Sequence, residues 1–170
     1  MTLTLKPGLK IVYTIPPVVL LAIPLILSAF SHLWNPIGFP LLYIDEGHYM
    51  RRAMNILEGS GPQETASDFH HPFDHPYFGQ LFLAGIFKII GYPDSLNPVE
   101  GDVHSIERLW LVPRILMGLL AVVDTFLIYK IAERRYNRNV AFIASVLFAV
   151  MPLSWMVRVV WLESIQLPFF

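Results

Sequence analysis

Leu109 to Ile131 reads LWLVPRILMGLLAVVDTFLIYKI, and its only charges before the closing Lys130 are Arg114 and Asp124. As a helix it is long enough to cross ~30 Å of hydrocarbon. It runs into Lys130, Glu133, Arg134, Arg135 and Arg138, a short and markedly basic turn. A further apolar run follows, Val140 to Val157 (VAFIASVLFAVMPLSWMV). Upstream, Ile11 to Phe30 (IVYTIPPVVLLAIPLILSAF) carries no charge, and Lys6 and Lys10 precede it. Three long apolar runs punctuated by basic residues predict an all-α integral membrane protein.

The balance of the whole chain agrees. Of 170 residues 55% are hydrophobic and 15% charged, whereas a soluble domain carries about a quarter charged residues. Mean hydropathy is +0.53. The net charge of −1 and the lack of a basic stripe give no reason to expect nucleic acid. There is no cysteine, so disulfides and thiolate metal sites are excluded and the redox compartment is not indicated.

Lysine and arginine flanking spans mark the cytoplasmic side. The N-terminal lysines and the basic turn both meet that rule only if an even number of crossings separates them. Residues 11–30 and 109–131 supply two. The weaker run Phe78 to Ile90 (FGQLFLAGIFKII) is short and contains Lys88, which suits a helix in the interface rather than a span. Residues 31–107 then form one large extracytoplasmic loop, 140–157 a third span, and 165–170 the start of a fourth. The expected localisation is a multi-pass membrane protein with a cytoplasmic N-terminus, in a prokaryotic cell membrane or the endoplasmic reticulum. Ser28-Ala29-Phe30 offers a competing cleaved-signal reading. The apolar run is longer than an h-region of ~7–15 residues, which favours an uncleaved anchor. Pro16, Pro17 and Pro24 predict a kink or close helix docking in the first span.

Within the loop, residues 45–57 (DEGHYMRRAMNIL) read as an amphipathic helix, with acids in its first turn and Gly59 after its end. Glu58 to Asp68 is a polar link. Four features could carry chemistry. Asp45 and Glu46 at the helix start serve either as dipole-complementing caps or as a general base for an incoming hydroxyl. The segment Phe69-His70-His71-Pro72-Phe73-Asp74-His75-Pro76 reads as a substrate-contacting loop or as plain surface. His70, His71 and His75 are weak zinc candidates in a spacing that matches no zinc signature, so no metal is expected. Arg114 and Arg158 lie at the edges of spans, where arginine either snorkels or clamps a lipid-linked phosphate. Asp124, near the middle of its span, should find a partner in the bundle or be neutral.

In this order the features resemble the protein O-mannosyltransferases and related membrane glycosyltransferases of the GT-C type. The matching residues are Tyr43-Ile44-Asp45-Glu46-Gly47-His48-Tyr49, then Phe73-Asp74-His75-Pro76-Tyr77-Phe78-Gly79-Gln80, then Gly91-Tyr92, Arg114 with Gly118, and Arg158, Glu163 and Phe169-Phe170. Tyr77 stands where the family has a second proline, Gln80 where it often has lysine, and Glu163 where it has aspartate. The resemblance covers nearly the whole chain and implies the N-terminal part of a larger GT-C multi-span bundle. It further implies transfer of a sugar, mannose by the family's habit, from a polyprenyl-phosphate donor to a protein Ser/Thr hydroxyl, with inversion and no cofactor. Asp45 and Glu46 would be catalytic, and His75, Arg114, Arg158 and Glu163 would bind substrate. The partners implied are membrane lipid, the lipid-linked sugar, a protein acceptor and further transmembrane helices. The alternative is a non-catalytic scaffold or assembly subunit derived from such a module.

Overall fold

The computed structural model describes residues 15–42, 44–62, 77–98 and 101–169. The histidine segment, including His70, His71 and His75, lies outside the described residues, as do Lys6 and Lys10. Among those described there is no strand. The helices are α1 (Pro17–Leu33), α2 (Ile44–Leu57), α3 (Tyr77–Ile89), α4 (Val103–Arg135), α5 (Arg138–Val150) and α6 (Leu162–Gln166). A 3₁₀ stretch, Pro152–Arg158, joins α5 to α6, and another, Leu167–Phe169, follows α6.

Proline sets two helix boundaries. Residues 11–14 of the first apolar run lie outside the described residues, and α1 starts at Pro17. Pro16 ahead of it is extended (φ −55°, ψ 138°), as a residue before proline prefers, and Pro17 takes the first helical position, where its missing N–H costs nothing. At the other end of the chain, Met151 is extended (φ −66°, ψ 131°) before Pro152, so α5 stops at Val150. The expected span 140–157 is therefore a helix of 13 residues, about 20 Å long, followed by 3₁₀ turns. Pro24 and Pro113 sit inside α1 and α4, and both helices run on through them.

The loop helices match expectation closely: α2 and α3 each begin one residue before the expected starts at 45 and 78. The expected span 109–131 lies inside α4, which begins at Val103. Asp102 caps that start, accepting from the backbone N–H of His104 (3.2 Å) and Ser105 (3.0 Å). The Ser105 hydroxyl also donates to it, and these bonds hold the Asp102 carboxyl below its ordinary range. Ile165, expected to open a fourth span, is buried in the short α6, which packs on α3 and α4.

Two packed regions result. One is a cap: Tyr49, Met50 and Ala53 of α2, Leu83, Ala84 and Phe87 of α3, Leu109 and Met117 of α4, and Val160, Leu162 and Ile165 share one apolar core. The other is a three-helix bundle of α1, α4 and α5, with Tyr129, Ala132 and Ala141 at its far end. The long α4 belongs to both. It is the one helix among the described residues long and apolar enough to cross a membrane; α1, α3 and α5 are shorter apolar helices.

Candidate functional site

The α1–α2 connection carries two prolines, and its described residues 34–42 are poor in regular structure, so their backbone carbonyls need partners from elsewhere. Two arginines provide them. Arg158 donates through Nη1 to Ser31 O (2.7 Å) and through Nη2 to Trp34 O and to Asn35 O (3.2 Å). Arg114 donates through Nη1 to Pro36 O (2.8 Å) and Pro40 O (2.9 Å), and through Nη2 to Leu41 O (3.4 Å). Five carbonyls of this connection and one at the end of α1 are thereby stapled to α4 and to the end of the 3₁₀ stretch.

Arg114 also forms a two-pronged ion pair with Glu46. Its Nε lies 2.9 Å from Oε1 and its Nη2 2.5 Å from Oε2. The two side chains are 1% and 0% exposed. Glu46 Oε1 further accepts from the backbone N–H of Val160 (2.7 Å), which ties α2 to the segment entering α6. A buried pair tolerates its desolvation only when its remaining valences are filled, and here they are. All five guanidinium N–H groups of Arg114 are committed, and its plane lies 5.9 Å from the Trp110 ring centroid.

This geometry changes how three expected site residues are read. Glu46 is fully buried with both oxygens occupied, so it positions rather than meets a substrate. Arg114 has no donor left for a phosphate. Arg158, also buried, spends its Nη groups on the C-terminal end of α1, where a cation suits both the orphan carbonyls and the helix dipole. Asp45, one residue before Glu46, differs from all of them. It is half-buried, and among the described residues its side chain holds no hydrogen bond and no ion pair. Glu163 is exposed on α6. His75, which the resemblance implies as a substrate contact, lies outside the described residues.

Beside Arg158 an apolar cavity of about 370 Å³ is lined by Phe30, Ser31, Trp34, Phe39 and Trp155. The Arg158 guanidinium sits 5.7 Å from the Phe39 ring centroid, and Trp155 meets Phe39 edge-on at 5.7 Å. No group of three or more metal-ligating side chains occurs among the described residues. Asp124 is buried on α4 with no hydrogen-bond partner among the described residues, so the partner expected for it is not found there.

Sequence reading noticed Glu46 and Arg114 separately and did not join them. The available signal was their scarcity: one acid and one base at the edges of apolar segments, each too costly to bury alone. The Val160 N–H and the six stapled carbonyls carry no sequence signal at all. Gly118, noticed in the sequence as a small residue after Arg114, has a steric reason. A Cβ there would stand 2.7 Å from His32 O and 2.6 Å from Leu33 Cδ2, so α1 and α4 touch at backbone distance. Compared with protein-family models, with curated proteins and with solved structures, the chain matches none.

Proposed function

We propose that this chain is a membrane module of a GT-C-type glycosyltransferase and that Asp45 is its general base. The observation that carries the reading is the contrast between adjacent carboxylates. Glu46 is locked by Arg114 and Val160, and Asp45, held in place by that lock, keeps its own oxygens uncommitted. A base must be positioned and also free to accept a proton. In the reaction, Asp45 takes the proton of an acceptor hydroxyl as that oxygen bonds to the anomeric carbon. The bond from that carbon to the lipid phosphate breaks on the opposite face, and the phosphate leaves with the electron pair. The donor is a polyprenyl-phosphate sugar, with mannose first in line, and the acceptor a protein Ser or Thr. The apolar cavity beside Arg158 suits the donor's hydrocarbon.

The membrane part of the proposal draws support from the bundle's inverted polarity. Val18, Ile23, Ile26 and Phe30 of α1, Leu119, Val123 and Phe126 of α4, and Ile143 and Leu147 of α5 are exposed. Inside lie Ser28, Thr125 and Ser145. Apolar outside and small polar inside is the arrangement of helices in lipid. The proposed topology puts the N-terminus and the α4–α5 turn in the cytoplasm and the cap outside, in a prokaryotic cell membrane.

A scaffold reading has one observation in its favour: Arg114 and Arg158 are consumed by internal bonds, which leaves the departing phosphate fewer cations. Two experiments separate the readings. Because the chain has no cysteine, single cysteines can be placed at will. Ser60→Cys and Ser95→Cys should both label from outside and Asn139→Cys only after permeabilisation; labelling of Ser60 and Ser95 from opposite sides would reject the topology. Sugar transfer from a polyprenyl-phosphate donor to a Ser/Thr peptide should be lost in Asp45→Asn, and an undiminished variant would favour the scaffold.

A further inference from the structure

The end of the bundle opposite the cap carries charge that the sugar-transfer reading does not use. Lys130, Arg134, Arg135 and Arg138 cluster around Glu133, four cations to one anion. Glu133 is bonded to Lys130 (2.7 Å) and Arg138 (3.2 Å), which hold its carboxyl below the usual range. Arg134 and Arg135 are exposed and have no ion pair among the described residues.

A cavity of about 440 Å³ lies against this cluster, lined by Leu127, Lys130, Ile131, Glu133 and Arg134. Positions 127, 130, 131 and 134 follow one another at helical spacing on one face of α4. The order along the axis matters. The face starts at Leu127, passes Lys130 and Ile131, and reaches Arg134 about 10 Å further on. Leu127 and Ile131 thus alternate with Lys130 and Arg134, and with Glu133, which Lys130 holds, the wall carries two cations and one anion beside its apolar part. Tyr136, exposed just beyond, adds an aromatic of the kind found at headgroup level.

We propose that this cavity binds an anionic glycerophospholipid, its acyl chain along Leu127 and Ile131 and its phosphate between Lys130 and Arg134. The inference rests on the membrane reading of the bundle. Charge complementarity points to an anion, and the apolar half of the wall points to a lipid rather than a soluble phosphate. A zwitterionic lipid offers the same chain without net charge and binds more weakly.

The test uses the purified full chain in vesicles of equal parts phosphatidylglycerol and phosphatidylcholine. After extraction in mild detergent, native mass spectrometry counts retained lipids. Phosphatidylglycerol should be retained in preference, and Lys130→Gln with Arg134→Gln together should cut that preference by about tenfold or more, since each cation contributes at the membrane surface. Lys88→Gln, which removes an exposed lysine paired with Asp94 in the cap, should leave it unchanged. Equal retention of the two lipids by the unaltered protein overturns the proposal, as does a double variant as selective as wild type with the same melting temperature. Loss of phosphatidylglycerol to excess inorganic phosphate would mark a phosphate site instead of a lipid site. Release of the protein from vesicles by alkaline carbonate would reject the membrane reading beneath it, a failure distinct from lost selectivity in inserted protein.

Discussion

The cap and the bundle share α4 but are held together by different physics. In the cap, large apolar side chains close on one another: Leu83, Phe87 and Leu162 are wholly buried, and the Glu46–Arg114 pair among them is fully satisfied. In the bundle the interior holds alanines and hydroxyls together with His32 and Tyr129, and many of the large apolar side chains face outward. Ser31 donates across to Ala149 O on α5 (2.7 Å), and Thr125 Oγ1 lies 2.7 Å from Ser28 Oγ between α1 and α4. The cap is built as a water-soluble core is built. The proposed membrane setting would account for the bundle, because in lipid burying apolar surface gains little and close backbone packing gains more. The Glu46–Arg114 pair stands where the two meet.

That contrast can be broken at several points. The largest effect should come from Arg114→Ala, which removes the guanidinium from the buried Glu46 carboxylate and frees three carbonyls. Removing one member of a buried pair costs about 3–5 kcal/mol. Thermal unfolding in detergent should show it, and Arg114→Lys should not restore stability, because an ammonium cannot reproduce the five-donor fork. A small shift in Arg114→Ala would mean that the pair does not hold the cap.

Phenylalanines compare the regions directly. Phe87→Ala in the cap should cost about 3–5 kcal/mol, whereas Phe126→Ala on the outer face of α4, 39% exposed, should stay within about 0.5 kcal/mol. Similar losses at both positions would contradict the division into two regions.

Tyr92, 3% exposed, donates its hydroxyl to Glu58 at the edge of the cap. Burial first, and then that bond, push its pKa up. The folded state therefore holds the phenolic proton more tightly than the unfolded chain does. Its contribution is complete below the unfolded value of about 10 and is lost as pH climbs through the raised one. Tyr92→Phe should lower stability by about 1.5–3 kcal/mol at neutral pH and flatten the alkaline limb of the stability profile. A limb of unchanged steepness would assign the alkaline loss to other groups.

The smallest effect belongs to the bundle's hydroxyls. Ser28→Ala should cost about 0.6 kcal/mol, the typical worth of a polar contact between helices in lipid. A loss several times larger would mean that the bundle depends on its polar interior as the cap depends on its ion pair.

Much of this division was legible in the sequence. The periodicity of residues 45–57 and the short apolar run of 78–90 fall within one residue of α2 and α3 at either end. What was not legible has identifiable causes. The third apolar run was read as one helix because hydropathy is blind to the backbone. The residue ahead of Pro152 leaves the helical region, and that ended α5 early. An arginine at a span edge either snorkels or clamps a phosphate. The sequence does not show that the end of α1 and residues 34–42 offer carbonyls enough to occupy Arg114 and Arg158. Asp45 and Glu46 are adjacent, about 100° apart on a helix, and only the fold decides which one turns inward.

The most direct test therefore sets Asp45→Asn beside Glu46→Gln and records melting temperature and sugar transfer per folded molecule for each. Asparagine keeps the shape of aspartate but cannot accept a hydroxyl proton. Asp45→Asn should melt as wild type does and lose about 10²–10⁴-fold in transfer. Glu46→Gln weakens the lock at Arg114 and should melt lower, while the molecules that remain folded keep most of their transfer. Wild-type transfer by Asp45→Asn, or a melting loss in it as large as that of Glu46→Gln, would contradict the account.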